Sequence, residues 1–244
     1  MTNIDPSDAQ VRILGSCVAP IFWLKGGPGK LYCNGTVTFF NPENPIAITN
    51  YHVYSALQDK LKSEGGQITI LNLPFALTDR LIDSDKNLDL ATFKITSEEL
   101  KSLGKIAAVQ KCPDYILPEV DMGVFNSGYP KEIRVDSMTN VGAYSFYRSG
   151  LRVKRVTPTL VTVDTTIDPG AEMVDYALKY REIHSSGGIS GSPILGITTY
   201  LDNDWPILLG IVFEEPMGTE LLEPDVLRVR PISCIKTDGT IQNP

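Results

Sequence analysis

An all-β fold is predicted by three features of this chain of 244 residues. About a dozen short segments are apolar or alternate apolar with polar, turn signals separate nearly all of them, and only two stretches carry helical spacing. The 20 glycines and 17 prolines are spread along the whole sequence without low complexity, which suits many short strands. Such a pattern favours a sandwich or barrel over βαβ units.

Taken in order, the first expected strand is Arg12–Leu24, closed by the turn Lys25-Gly-Gly-Pro-Gly29. Leu31 to Phe40 follows, with Cys33, Gly35, Val37 and Phe39 on one side and Thr36 and Thr38 on the other, as in a half-buried strand. A turn at Asn41-Pro-Glu-Asn-Pro45 ends it, and Ile46–Thr49 is the next strand. Val53–Lys62 reads as a helix, with apolar residues at 53, 56, 57 and 61. Gln67–Leu73 and Leu88–Ile95 are strands, and Ser97–Leu103 is a short helix with Ser97 as its expected cap. Beyond it, strands are expected at Met122–Ser127, Val141–Tyr147, Lys154–Asp164, Pro193–Thr199, Pro206–Phe213 and Val226–Ile235. Turns at Gly128-Tyr-Pro130 and Asp168-Pro-Gly170 punctuate them. Val109–Glu119, holding Cys112-Pro113 and Leu117-Pro118, reads as a linker, so the chain divides into halves of 1–112 and 113–244.

Bulk composition removes several functions. A net charge of −7, with no Arg/Lys stripe interleaved with aromatics, argues against nucleic-acid binding, where phosphate neutralisation supplies most of the affinity. The densest basic stretch, Arg148, Arg152, Lys154 and Arg155, reads as the wet face of a strand. No apolar run reaches the roughly 20 residues of a membrane span, and Met1-Thr-Asn-Ile-Asp-Pro6 lacks a basic n-region, so a cytoplasmic location is expected. The cysteines Cys17, Cys33, Cys112 and Cys234 form no CxxC pair and are read as thiols, with no metal and no cofactor expected. Asn34-Gly35-Thr36 fits a glycosylation pattern but reads more simply as strand. Only two histidines, His52 and His184, are available to any mechanism that needs an imidazole.

Three segments carry the residue types of nucleophilic hydrolysis. In Ile48-Thr-Asn-Tyr-His52-Val53 a histidine sits where a strand gives way to a helix. In Leu88-Asp89-Leu-Ala-Thr-Phe93 an acid enters an apolar strand, where a carboxylate needs a partner. In Ser186-Gly-Gly-Ile-Ser190-Gly-Ser-Pro193 a serine sits in a glycine-rich turn. A hydroxyl attacks well only when a base takes its proton, and the base works best when an acid fixes its tautomer. Glycines around the serine let the backbone turn tightly and aim N–H groups at a developing oxyanion. The α/β-hydrolase order of serine, acid, histidine is excluded, because no histidine follows Ser190. Asp83 and Asp85 rival Asp89, but they fall in what reads as a polar turn before the apolar strand.

The order His52, Asp89, Ser190, with the motifs Thr-Asn-Tyr-His52-Val, Asp89-Leu-Ala and Gly188-Ile-Ser190-Gly-Ser-Pro193, resembles that of the trypsin-like serine peptidases of the chymotrypsin fold. Gly128-Tyr-Pro130 is similar to a turn early in the family's second barrel, and Leu209-Gly-Ile-Val-Phe213 to the strand beside the substrate. The resemblance spans about Gly35 to Phe213. It implies two perpendicular six-stranded β-barrels with the active site in the cleft between them. Ser190 would be the nucleophile, His52 the general base and then acid, and Asp89 the residue that orients His52. The backbone N–H groups of Gly188 and Ser190 would form the oxyanion hole, and the substrate would be a protein or peptide.

The chain also departs from the family. Ile189 replaces the aspartate that secreted relatives place before the nucleophile, so activation by a freed N-terminus of that kind is excluded. Cys33 suits one half of the disulfide tying the histidine loop, but Val53 stands where its partner would be. Both departures fit an intracellular or bacterial-type member, in the style of glutamyl endopeptidases and quality-control proteases. For specificity, His184 falls at the base of the primary pocket by resemblance, and is otherwise a solvent-facing loop residue. Phe213 and Glu214, followed by Glu215, replace the usual Trp-Gly run, and the two acids either attract basic substrate residues or are simply exposed. This run motivates a second reading: a protease-fold binding or scaffold module, inactive or opened only by a regulatory protein partner.

Overall fold

The computed structural model describes residues 15–25, 31–109, 118–129, 134–135, 143–144, 147–164, 189–200, 203–213 and 226–244. Its first unit contains β1 (Val18–Leu24), β2 (Leu31–Phe40), β3 (Ile46–Thr49), α1 (Tyr51–Glu64), β4 (Gln67–Ile70), β5 (Leu73–Pro74), β6 (Leu81–Asp85), β7 (Leu90–Lys94) and α2 (Ser97–Ser102). The strands form one antiparallel sheet in the order β5-β4-β1-β2-β3-β7-β6. The second unit contains β8 (Gly123–Gly128), β9 (Arg134–Val135), β10 (Ala143–Tyr144), β11 (Tyr147–Val156), β12 (Val161–Asp164), β13 (Pro193–Tyr200), β14 (Asn203–Phe213) and β15 (Val226–Pro231). Six of them close into a barrel, in the order β8-β11-β12-β15-β14-β13, while β9 and β10 form a separate ribbon. A curled half-barrel sheet and a closed six-stranded barrel are consistent with the expected two-barrel, chymotrypsin-like architecture. The first unit differs in detail, since its sheet has seven strands and no ladder joins its two edges among the described residues.

Period-two alternation explains how these strands hold the units together. On β1, Ala19, Ile21 and Trp23 enter the core of the first unit, with Val37 and Phe39 of β2, Ala47 of β3 and Ala91 and Phe93 of β7. Side chains one residue out of step, Val18, Phe40, Ile46, Ile48 and Leu90, enter a second cluster with Phe125, Leu195, Leu208 and Ile211 of the barrel. Both faces of the sheet are thus covered, which is why β1, β3 and β7 read as nearly unbroken apolar runs. A third cluster, including Val153, Val163, Ile194, Leu209 and Val229, fills the barrel. Helix α1 closes the first core with Val53, Tyr54 and Leu57. Its close approach requires Gly35 of β2, where a Cβ would lie 2.6 Å from a methyl of Val53.

After β15 and a short 3₁₀ turn at Ile232–Cys234, the chain returns to the first unit. Asn41 donates its side-chain amide to the Thr237 carbonyl at 2.9 Å, Thr92 its hydroxyl to the Gly239 carbonyl at 2.6 Å, and Ile241 its N–H to the Asp83 carboxylate at 2.8 Å.

Several expected elements change. Lys154–Asp164 is two strands, because Pro158 interrupts it and Thr157 and Leu160 close a turn with mutual hydrogen bonds of 2.8–3.0 Å. Leu81–Asp85 is a strand rather than a polar turn, held by pairing with β7 despite its two aspartates. The cap of α2 is Thr96, in a full capping box with Glu99, rather than Ser97. Val226–Ile235 ends as a strand at Pro231. Residues 12–14 and 110–117, parts of the expected first strand and linker, lie outside the described residues. The alternation on β11 holds, with Val153 buried and Arg152 and Lys154 exposed, Lys154 pairing with Asp164 at 3.1 Å.

Candidate active site

Helix α1 begins one residue before His52, so the His52 backbone N–H is one of the donors that a helix leaves without an internal partner. The Asn50 side chain, which could cap the helix, instead donates to the Asp89 carbonyl at 2.9 Å. Asp89 supplies the missing acceptor. Its Oδ1 takes the His52 N–H at 2.9 Å, and its Oδ2 lies 2.8 Å from His52 Nδ1. One carboxylate therefore fixes both the backbone and the ring of His52, at the end of a helix whose dipole favours an anion. A carboxylate only accepts, so it selects the Nδ1–H tautomer and leaves Nε2 as the basic nitrogen. The His52 side chain is 42% exposed while that of Asp89 is 15% exposed, an arrangement with a sheltered acid behind an accessible imidazole.

The acid reaches this position at a conformational cost. Asp89 has φ +54°, a left-handed conformation that costs a non-glycine residue about 1 kcal/mol. Asp85 steadies the turn before it, its Oδ1 accepting from Asn87 N–H at 2.7 Å and Leu88 N–H at 2.9 Å. Asp83 accepts from Ser84 N–H and Ile241 N–H. Both rival carboxylates are thus engaged by backbone amides.

Ser190 comes from the second unit, in the turn that enters β13, and is only 3% exposed. Its carbonyl accepts from Thr36 N–H at 3.0 Å, and the next carbonyl, of Gly191, accepts from the Thr38 hydroxyl at 2.8 Å. Thr36 also takes the Tyr129 N–H on its hydroxyl at 3.1 Å and the Thr49 hydroxyl on its carbonyl at 2.7 Å. The Ser190 turn is therefore clamped onto β2 and against Thr49, three residues before His52. Gly191, at φ +89°, makes this possible: a Cβ there would run into the Thr36 carbonyl oxygen and lie 2.6 Å from the Thr49 hydroxyl. Gly191 N–H and Val212 N–H donate to the Val212 and Ser192 carbonyls, tying the turn to β14. Buried Asn126 donates to the Ser192 hydroxyl at 2.8 Å and to the Pro193 carbonyl at 2.9 Å. Burial, with nearby Cys17, pushes the Tyr129 phenol up to about 12, so it stays neutral beside the turn.

The sequence-predicted residues are thus distributed as follows. His52 and Asp89 are in direct contact, and the Ser190 turn packs on the strand and threonines that lead to them. Gly188, His184 and Glu214 lie outside the described residues. Phe213 is buried, with the Arg230 guanidinium 4.0 Å above its ring. Cys17 and Cys234 are buried thiols, burial pushing Cys17 up to about 12 and raising Cys234 as well. Among the described residues no three His, Cys, Asp or Glu side chains gather as a metal site, and no helix is long and apolar enough to cross a membrane.

Thr36, Thr38, Asn50, Asn126 and Arg230 were not singled out by sequence reasoning. Thr36 and Thr38 read as the polar face of a half-buried strand, yet both are fully buried beneath the Ser190 turn. Arg230 alternates with Val229 and Leu227 like any exposed strand residue, and nothing local distinguishes it.

No protein-family model matches the chain, nor does any curated protein. Solved structures similar to it include the active form of the Rv3671c protease from M. tuberculosis, at 16% identity and a TM-score of 0.49, covering 93% of this chain and 82% of that one. The serine protease domain of the Sesbania mosaic virus polyprotein is similar at 14% identity and a TM-score of 0.45, covering 88% and 90%. A structure concerning coupled folding and binding of the disordered Sesbania mosaic virus VPg protein is similar at 14% identity and 0.44, covering 90% and 94%.

Proposed function

We propose that this protein is a serine endopeptidase that cleaves peptide bonds through an acyl-enzyme. The observation that carries this reading is the doubly bonded Asp89–His52 pair at the start of α1; a glycine-framed serine turn of the second unit, bonded to Thr36 and Thr38 of β2, supports it. In the proposed reaction, His52 Nε2 takes the Ser190 proton as Oγ attacks the scissile carbonyl. The backbone N–H groups of Gly188 and Ser190 hold the resulting oxyanion. His52 then gives its proton to the leaving amine, which departs and leaves the acyl-enzyme; the same base next takes a proton from a water whose oxygen attacks the acyl carbon, and returns it to Ser190 Oγ as the ester bond breaks and the acid product leaves. Asp89 keeps its charge throughout, stabilising the imidazolium. His184, Phe213 and Glu214 remain proposed specificity residues, and the substrate class is protein or peptide.

A fluorophosphonate probe tests the reading directly. Ser190 of the intact chain should label, Ser190→Ala should abolish labelling, and His52→Ala should slow it by several orders of magnitude. A folded wild-type chain that never labels would overturn the peptidase and leave the partner-opened scaffold as the better reading. The labelling rate should also rise with pH through roughly 6 to 7, because a histidine base, ordinarily titrating near about 6.5, acts only when neutral. A flat profile across that range would contradict His52 as base.

A further inference from the structure

The turn bearing Asp89 is gripped from the opposite half of the molecule. Arg230 stands on β15, paired with Ile211 of β14, and Gly210 lets the two strands close up, since a Cβ there would strike the Arg230 carbonyl oxygen. From this barrel strand the guanidinium fans out over three carbonyls. Its Nε donates to Leu88 at 2.8 Å, its Nη2 to Asn87 at 3.3 Å, and its Nη1 to Thr159, in the β11–β12 turn, at 2.9 Å. Leu88 and Asn87 are the two residues before Asp89. The same guanidinium lies over the Phe213 ring, its carbon 4.0 Å from the ring centroid, a further contact that restrains it.

We propose that Arg230 is a positioning residue for the Asp89–His52 pair, holding the turn that carries the acid from the barrel, so that the pair is set only when the two halves are seated together. The proposal rests on the peptidase reading for its catalytic consequence, but its geometry stands without it.

The conformation of the turn calls for contacts that hold it, and these come from both units. Asp89 sits in the left-handed region, a conformation that persists only where surrounding contacts over-determine it. Asp85 and Asn50 hold the turn, and both belong to the first unit. Arg230 supplies the contacts that cross from the barrel, and it does so through carbonyls, so what it fixes is backbone position. A lysine could not reproduce this, because its ammonium is a point charge without the planar fork. Electrostatics agree: burial draws the guanidinium below its ordinary value, while Cys234, Asp89 and Asp85 pull it back up, which places the acid within its field.

The test uses the two histidines of the chain. In the full-length protein with isotope-labelled histidine, ring resonances are followed by NMR against pH, His52 being identified by its loss in His52→Ala. Arg230→Lys keeps the charge and loses the fork, while Arg230→Gln loses both. If Arg230 positions the acid, the carboxylate is less well aimed in both variants and the imidazolium loses support, so the His52 midpoint falls by about one pH unit in Arg230→Lys and by less in Arg230→Gln, where the lost cation works in the other direction. If Arg230 acts only as a nearby charge, Arg230→Lys stays in place and Arg230→Gln rises, since removing a cation favours the imidazolium. That pattern, or no change in a folded variant, overturns the proposal. Either variant decides alone should the other fail to fold. Arg152→Lys, on the exposed face of β11, should leave the midpoint unmoved. Probe labelling of Ser190 is recorded in parallel. A wild-type chain that never labels would defeat the peptidase reading, while a fallen His52 midpoint would still support Arg230.

Discussion

Asp89→Asn should fold like the wild type and lose about 10⁴-fold in turnover. The exchange is unusually clean at this position. Asn is among the residues that best tolerate the left-handed φ that Asp89 adopts, so the turn keeps its shape. Asn also caps helices about as well as Asp, so Oδ1 can still accept the His52 N–H, and the lost charge at the helix end costs only about 0.3–1 kcal/mol. What changes is the face towards the ring. An amide Nδ2 in place of Oδ2 brings a donor against His52 Nδ1, which must then accept, moving the ring proton to Nε2. An Nε2 that already carries a proton cannot take one from Ser190. Melting curves and the steady-state rate, or the probe-labelling rate, separate the two consequences. A folded Asp89→Asn protein within tenfold of wild-type rate would remove Asp89 from its proposed role. Asp85→Asn is the natural comparison: its Oδ1 serves backbone amides of the turn, so its effect should be smaller and should appear in stability as well as rate.

How much of this could be read from the chain depends on the range of the cause. The contact of His52 with Asp89 was legible because each of the two sits beside a local backbone signal, a strand–helix junction and an apolar strand entry, and the proposed serine was singled out in the same way, by its glycine-framed turn. Strand alternation was equally legible on β2, but its meaning was not. Thr36 and Thr38 look like a solvent face, and only the arrival of residues 190 and 191, more than 150 positions later, turns that face into a buried clamp. Leu81–Asp85 failed for a related reason, since pairing with β7 and the returning C-terminal segment override the low strand propensity of its aspartates. Arg230 is the extreme case. Its partners lie 142, 71 and 143 residues away and are all backbone carbonyls, which leave no side-chain signature in any sequence.

Gly191→Ala should be the most damaging single methyl that can be added to the candidate site, destabilising the chain by about 3 kcal/mol or more and abolishing probe labelling of Ser190. Two costs combine there. At φ +89° an alanine is strained whatever surrounds it. Its Cβ would also meet the Thr36 carbonyl and the Thr49 hydroxyl, and neither can retreat easily, because Thr49 is bonded to that same carbonyl at 2.7 Å and Thr36 belongs to a paired strand. The turn can relieve the clash only by lifting off β2, which breaks the Thr36–Ser190 and Thr38–Gly191 hydrogen bonds and shifts Ser190 from its place on that strand. Gly104→Ala calibrates the first cost by itself. Gly104 also has a positive φ, +64°, but a Cβ there meets nothing within 4 Å, so that variant should lose only about 1 kcal/mol and label normally. Urea unfolding of the two variants gives the difference between strain alone and strain with a blocked interface. Equal losses would mean that the Ser190 turn is not clamped on β2 in solution, whereas a much larger loss at Gly191, with labelling gone, makes the contact between the two units a condition for placing the serine.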